Sequence, residues 1–240
     1  MPITRVQATS TTADNTTAIS LAYGSNITSG NLLVILVTAY KNSNDAFALG
    51  DISKTAGTAT LGSFTLDAAI NFDYAGAGEY VNTAVYSAPV TGTGSCTIQV
   101  GGAPAGSFLF LAITERSNAD TTGTRVEGTD TGSGTTGAPN TGNAVTSAAG
   151  ALFAGIVGTV TSIATTHTKG ADYTEIAESE DGSLHMTGHA EDRIVTVSTA
   201  DTADWVAPTT EEWAAVLVVY KEAAGEAAVR KDLLLLGVGQ

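Results

Sequence analysis

NLLVILVTAY, Asn31–Tyr40, runs almost without a polar interruption until its last residues. A strand with one wet face alternates apolar with polar residues, so this stretch reads as a strand covered on both faces. The same character returns in SFLFLAITE (Ser107–Glu115), ALFAGIVGTV (Ala151–Val160) and EWAAVLVVYKE (Glu212–Glu222). In SFTLDAAINFDY, by contrast, Phe64, Leu66, Ala68, Ile70 and Phe72 alternate with polar or small neighbours. That is the period of a half-covered strand. EYVNTAVYSAPV, SCTIQV, YTEIAES, LHMTGHAED, IVTVST and DTADWV supply further strand signals, separated by clusters of Gly, Asn, Asp and Pro. Helical periodicity is absent before the last residues, so the expected fold is all-β.

The order of these segments repeats. Asn31–Tyr40 corresponds to Ala151–Val160, Phe64–Ile70 to Tyr173–Ser179, Glu79–Ser87 to Leu184–Asp192, and Ser107–Glu115 to Glu212–Glu222. Such an echo fits one two-sheet jelly-roll β-sandwich built from paired Greek keys, or two tandem small β-sandwich domains. The single sandwich is preferred, because strands apolar on both faces suit the centre of large packed sheets. The organisation expected is a β-sandwich over residues 1–222 with pseudo-repeat halves 31–115 and 151–222. A loop over 116–150 joins the halves, and a C-terminal arm spans 223–240.

That loop is dense in turn formers and reads as a surface excursion. Within it, Gly132-Ser133-Gly134-Thr135-Thr136-Gly137 matches G-x-G-x-x-G. A dinucleotide site needs a strand before the motif and a helix after it. Here the flanks are Thr, Asp, Pro and Asn, so no cofactor is expected.

Composition narrows the function classes. The 240 residues carry a formal charge of −14, and only 14% are charged at all. Apart from the adjacent Arg230 and Lys231, Lys and Arg are scattered singly, with no basic stripe to hold phosphates; neither nucleic acid nor an anionic membrane is an expected partner. No apolar run is long enough to span a bilayer. Cys96 is the sole cysteine, which excludes an intrachain disulfide, and in GSCTIQV it reads as a small buried hydrophobe. The opening MPITRVQATS lacks a secretory pattern, so synthesis is expected in the cytoplasm. The sequons at Asn15 and Asn26 then carry no meaning.

Candidate chemistry is sparse. His185 and His189 on one strand face would stand roughly 13 Å apart, too far to share a metal ion. They read as solvated hairpin residues, and His167 reads as a loop residue. No metal ligand set is expected. Glycoside hydrolysis needs two carboxylates facing each other across a groove. Glu115, Glu175, Glu178, Glu180 and Asp181 are the available acids, but Glu175 and Glu178 fall on opposite faces of a regular strand. No catalytic residue is assigned, and no enzyme activity is expected. For sugar binding, Trp205 and Tyr74 could stack on a ring, and Asn42–Asp45 could ligate calcium. Trp213 reads as core.

The last residues break the pattern. Glu222 to Leu236 are good helix formers, with Gly237 placed to stop a short helix. Val229, Leu233 and Leu236 share a face, and Leu234 and Leu235 widen it. Burying four leucines is worth very roughly 6–12 kcal/mol as an upper bound. A groove is needed, on this chain or on a neighbour; the neighbour is preferred, making Val229 and Leu233–Leu236 a subunit interface.

The series SGNLLVILVTAY, FTLDAAINF, VNTAVYSAPVTGTGSCTIQV, FLFLAITE, GALFAGIVG and DTADWVAPTTEEWAAVLVVYKE resembles the jelly-roll or concanavalin-A-like β-sandwich proteins of tailed-phage virions. The resemblance covers Asn31 to Glu222 and is one of strands and turns. It lacks the aromatic and calcium motifs of the lectin members. It implies a structural virion role, as a decoration or tail-associated protein whose partners are itself and other virion or filament subunits. The localisation expected is a virion or extracellular assembly. The alternative is a carbohydrate-binding adhesion module that contacts host-surface glycan.

Overall fold

The computed structural model describes residues 1–42, 50–74, 79–135, 137–160, 166–181, 186–207 and 212–224. The first half supplies β1 (Thr4–Thr16), β2 (Ile19–Ala22), β3 (Leu32–Asn42), β4 (Ile52–Ala56), β5 (Thr60–Leu61), β6 (Thr65–Tyr74), β7 (Glu79–Gly92), β8 (Thr97–Val100) and β9 (Ser107–Ser117). The second supplies β10 (Val126–Gly134), β11 (Val145–Ser147), β12 (Leu152–Val160), β13 (Thr174–Asp181), β14 (Met186–Ile194), β15 (Thr199–Asp201) and β16 (Glu212–Tyr220). The protein is all-β: no described residue is helical, so none lies in a helix able to cross a membrane. Residues 225–240, which carry the expected helix or arm, lie outside the described residues.

Two large antiparallel sheets hold the both-faced strands at their centres. The first runs β1-β9-β3-β7, with β6 and the short β5 along the far edge of β7. The second runs β10-β16-β12-β14-β13. Strand for strand the order is the same, with β12 in the place of β3. On β3, Leu32, Val34 and Leu36 enter a central core shared with Leu152, Ala154 and Ile156 of β12. The intervening Leu33, Ile35 and Val37 enter a different core, with Ile19, Ile98 and Val100 of a small β2-β8-β4 sheet. On the second sheet Phe153, Val157, Trp213 and Leu217 face outward into a third core that contains Trp205. A two-stranded β11-β15 sheet belongs to the same half. Period two is therefore intact in these strands; both of its phases are apolar because each face meets a core.

The two large sheets face each other across the central core, each formed by one half of the chain, and each half also has its own small sheet. Register makes the equivalence of the halves residue-specific. Leu32 lies opposite Arg116 and Pro89, and Leu152 lies opposite Tyr220 and Ile194. Even the irregularities recur. A register shift between Arg5 and Gln7 on β1 matches one between Val126 and Gly128 on β10. Another, between Leu66 and Ala68 on β6, matches one between Glu175 and Ala177 on β13. Bulges are specified local features, so their coincidence marks a true internal duplication of geometry.

Across the central core the halves dock as an isologous pair, in which equivalent residues make reciprocal contacts. Phe110 of β9 lies over Gly188 of β14, where a Cβ would sit 2.4 Å from the ring. The equivalent contact pairs Ala214 of β16 with Thr83 of β7, whose hydroxyl donates to the Ala214 carbonyl at 3.1 Å. Polar links close the margins of this interface. Asp192 of β14 pairs with Arg5 at 3.0 Å and with the fully buried Arg116. At the related place, Tyr220 donates to Asp67 at 2.6 Å.

The expected loop over residues 116–150 contains structure: β10 is the edge strand of the second sheet and β11 belongs to a small sheet. Its apolar poverty misled because glycines stand where core residues would. A Cβ on Gly134 would meet the Trp213 indole at 2.9 Å, and one on Gly132 would meet the Asn140 carbonyl at 2.1 Å. The first two glycines of the G-x-G-x-x-G match thus make room for a tryptophan and a neighbouring backbone.

Candidate functional site

The outer faces of the two large sheets differ in chemistry. In the first half, Ala84 and Tyr86 of β7 belong to an apolar core. Their equivalents on β14, by the register that aligns Ser87 with Asp192, are His189 and Glu191. Both are fully buried. Opposite His189 on β13 stands Glu178.

The bulge on β13 is what brings Glu178 to this face. Ile176 and Ala177, adjacent in sequence, both pack against the central core. One residue of alternation is thereby absorbed, and Glu175 and Glu178 lie opposite Glu191 and His189, which share a face. The opposite-face expectation for Glu175 and Glu178 is corrected accordingly: it holds for a regular strand, and this strand is not regular.

His167 closes the cluster from above. It lies in the segment before β13, where Thr168 exchanges backbone hydrogen bonds with Val206 at 2.9 Å in both directions. The loop expectation for His167 omits its burial, which leaves it 5% exposed. Its Nδ1 is 3.2 Å from Glu178 Oε1, and its backbone N–H donates to the same oxygen. His189 Nδ1 stands 3.6 Å from that oxygen, and the two imidazoles meet edge to face with centroids 6.1 Å apart. Candidate ligand atoms of all three residues lie within 4.8 Å of one another.

Electrostatics separates the two acids on this face. Burial alone would raise the Glu178 carboxyl, but the His167 ring, the His189 ring and the His167 N–H outweigh it and hold the group down to about 2. Glu178 is therefore a carboxylate. Glu191 goes the other way: burial pushes it up to about 8 against the opposing hydrogen bond from the Gly170 N–H at 2.8 Å. It is largely protonated at neutral pH.

Unpartnered polar atoms concentrate here. Among the described residues, buried side-chain atoms without a hydrogen-bond partner are Thr159 Oγ1, both ring nitrogens of His189, Glu191 Oε1, Trp205 Nε1 and Arg116 Nη1. All but the last belong to residues of the second half. Buried polar groups are almost always satisfied, so a cluster of exceptions calls for a specific cause. Two imidazoles and a carboxylate converging in a mostly dry site can hold a cation or relay a proton between them.

The residues expected from sequence lie elsewhere. Trp205 is fully buried over Gly155 in the outer core of the second half, so its indole face is closed to a sugar and the platform expectation is corrected. Burial against a glycine, where the larger ring adds more apolar contact, outweighs the loop-like context of DTADWV. Asn42 ends β3 and Tyr74 ends β6, and the side chains of both lie outside the described residues. So do Ser43, Asn44 and Asp45, His185, Val229 and Leu233–Leu236. Glu115 is fully buried and accepts from Gln7, Thr28 and Asn31 at 2.6–2.7 Å, a structural role. Cys96 is buried in the outer core of the first half, as expected. The His167–Glu178–His189 cluster was not assigned from sequence. One signal pointed to it: the internal echo replaces Ala84 and Tyr86 by His189 and Glu191. No protein-family model, curated protein or solved structure matches the chain.

Proposed function

We propose that the protein is a non-enzymatic building block of a virion or comparable filament, joined to its neighbours through the apolar segment after the β-body. The observation that carries this reading is where the body closes. Tyr220, fully buried, is the last residue in any of the three cores among the described residues. The chain is then tied off by backbone hydrogen bonds from Lys221 to Arg125 at 2.8 Å and from Ala223 to Asn118 at 2.7 Å. Leu233–Leu236 follow a body whose cores already contain both faces of each large sheet. A cleft of about 310 Å³ lined by Pro2, Ala149, Gly150, Thr196 and Glu222 opens beside the last described residues, and docking there is the competing outcome.

We also propose that the first half is by itself a jelly roll, a reading its strand order supports. In the first half β1, β3, β7 and β9 lie in the large sheet, while β2, β4 and β8 lie in the small one. The chain thus crosses repeatedly between layers, as paired Greek keys require. The carbohydrate-binding alternative has lost its named platform at Trp205.

The test is to delete residues 225–240 and measure particle mass in solution beside the full chain. The expected result is assembly by the full chain and monomer after deletion. Equal masses for the two proteins reject the proposal.

A further inference from the structure

We propose that His167, Glu178 and His189 form a binding site for a single divalent transition-metal ion of zinc's class, with two imidazole nitrogens and one carboxylate oxygen as protein ligands. This is independent of the assembly reading.

The spacing fits. Ligand atoms bound at about 2.0–2.1 Å around a tetrahedral ion lie roughly 3.4 Å from one another. Glu178 Oε1 is 3.2 Å from His167 Nδ1 and 3.6 Å from His189 Nδ1. The third edge, between the two imidazoles, closes to within 4.8 Å, so an ion placed among these atoms would draw the two rings together.

The second observation is His189 itself. It is 0% exposed, and neither ring nitrogen has a hydrogen-bond partner. Leaving a buried donor or acceptor unsatisfied is costly. A metal bond at Nδ1 would supply a partner on the side that faces Glu178. The fold itself does not require polar residues here, since the equivalent of His189 is Ala84 and that of Glu178 is Ala69. Two alanines in one half therefore stand where an imidazole and a carboxylate stand in the other.

The donor set selects the ion. Calcium and magnesium take oxygen ligands, so two imidazoles disfavour them. Imidazole with carboxylate suits zinc and its neighbours. Glu178, with its side chain 17% exposed, is the most open of the three ligands, so a fourth, water ligand would enter from its side. The ligands come from β13, β14 and the 166–168 segment, and bound metal would tie that segment to the sheet.

The experiment uses full-length protein stripped with a chelator and dialysed free of it. Zinc is titrated by calorimetry, and cobalt(II) is added separately as a spectroscopic probe. Expected are a single strong site, the intense visible bands of tetrahedral cobalt with nitrogen ligands, and an unfolding temperature that rises with zinc. His189→Ala, His167→Ala and Glu178→Gln should each weaken zinc by about tenfold or more. Glu178→Gln is nearly isosteric and keeps the test decisive if a histidine variant does not fold. Absence of strong zinc binding overturns the proposal. So does affinity unchanged in Glu178→Gln, displacement of zinc by equimolar calcium, or the weak spectrum of octahedral, oxygen-ligated cobalt.

Discussion

Thr38 and Gly158 hold equivalent places on β3 and β12, and they touch each other across the central core. A Cβ on Gly158 would lie 2.1 Å from the Thr38 hydroxyl oxygen. When a residue contacts its own equivalent, the local two-fold relation passes close by. Beside this point Thr38 and Thr83 share a hydrogen bond of 2.9 Å, and Thr83 also donates to Ala214.

Gly188→Ala tests this docking. The new methyl would meet Phe110, whose ring is fully buried and hemmed in by the central core. Overpacking of this kind costs about 1–3 kcal/mol, measured as a lowered urea midpoint. Adding Phe110→Leu should recover part of the loss, because the two side chains occupy the same space. Strictly additive effects in the double variant would show that Phe110 and Gly188 do not interlock.

Asp192→Ala should cost more. It removes the carboxylate that serves both Arg116 and Arg5, and leaves Arg116 buried without its counter-ion. Burial already lowers the Arg116 pKa against the pull of Asp192. Breaking a buried pair in this way costs about 3–5 kcal/mol. Arg5→Ala, at a partly exposed site, should cost much less. Similar losses in the two variants would count against Arg116 as the residue that needs Asp192.

Trp205→Ala should destabilise by about 3–5 kcal/mol, as expected for a large buried ring. Trp205 lies against Gly155 and Ala203, so Gly155→Ala should also lower the unfolding temperature, its Cβ meeting Ala203 at 2.9 Å. Wild-type stability in both variants would mean that this outer core is looser than its geometry implies.

What sequence disclosed and what it hid have separate causes. β3, β9, β12 and β16 were legible because a strand covered on both faces has an unmistakable composition. Their echo was legible because equivalent positions carry similar burial. β10 was hidden because an edge strand packed under Trp213 needs glycine, which reads as loop. The His167–Glu178–His189 cluster was hidden twice over. His167 is brought in by a segment with no periodicity, and the bulge at Ile176 inverts the parity used to assign Glu178 to a face. Counting along His185–His189 followed a single strand, whereas the geometry that matters runs across strands.

Glu178 of this cluster and the neighbouring Glu191 give opposite dependences on pH, read in metal-free protein. Glu191 has a folded pKa near 8 against an ordinary value of 4.5, so the folded state holds a proton that the unfolded state has released. Stability from this group must therefore decline as pH rises through that interval. Glu178, held down to about 2 from 4.5, contributes stability above 4.5 that is lost as pH falls towards 2. Urea midpoints collected from about pH 3 to about pH 9 should lose the decline between 4.5 and about 8 in Glu191→Gln and the decline below 4.5 in Glu178→Gln. Glu178→Gln should also be less stable than the wild type at neutral pH, because the carboxylate that faces both histidines is gone. A decline between pH 4.5 and about 8 that survives Glu191→Gln would place its origin in some other group and remove the case for a protonated Glu191.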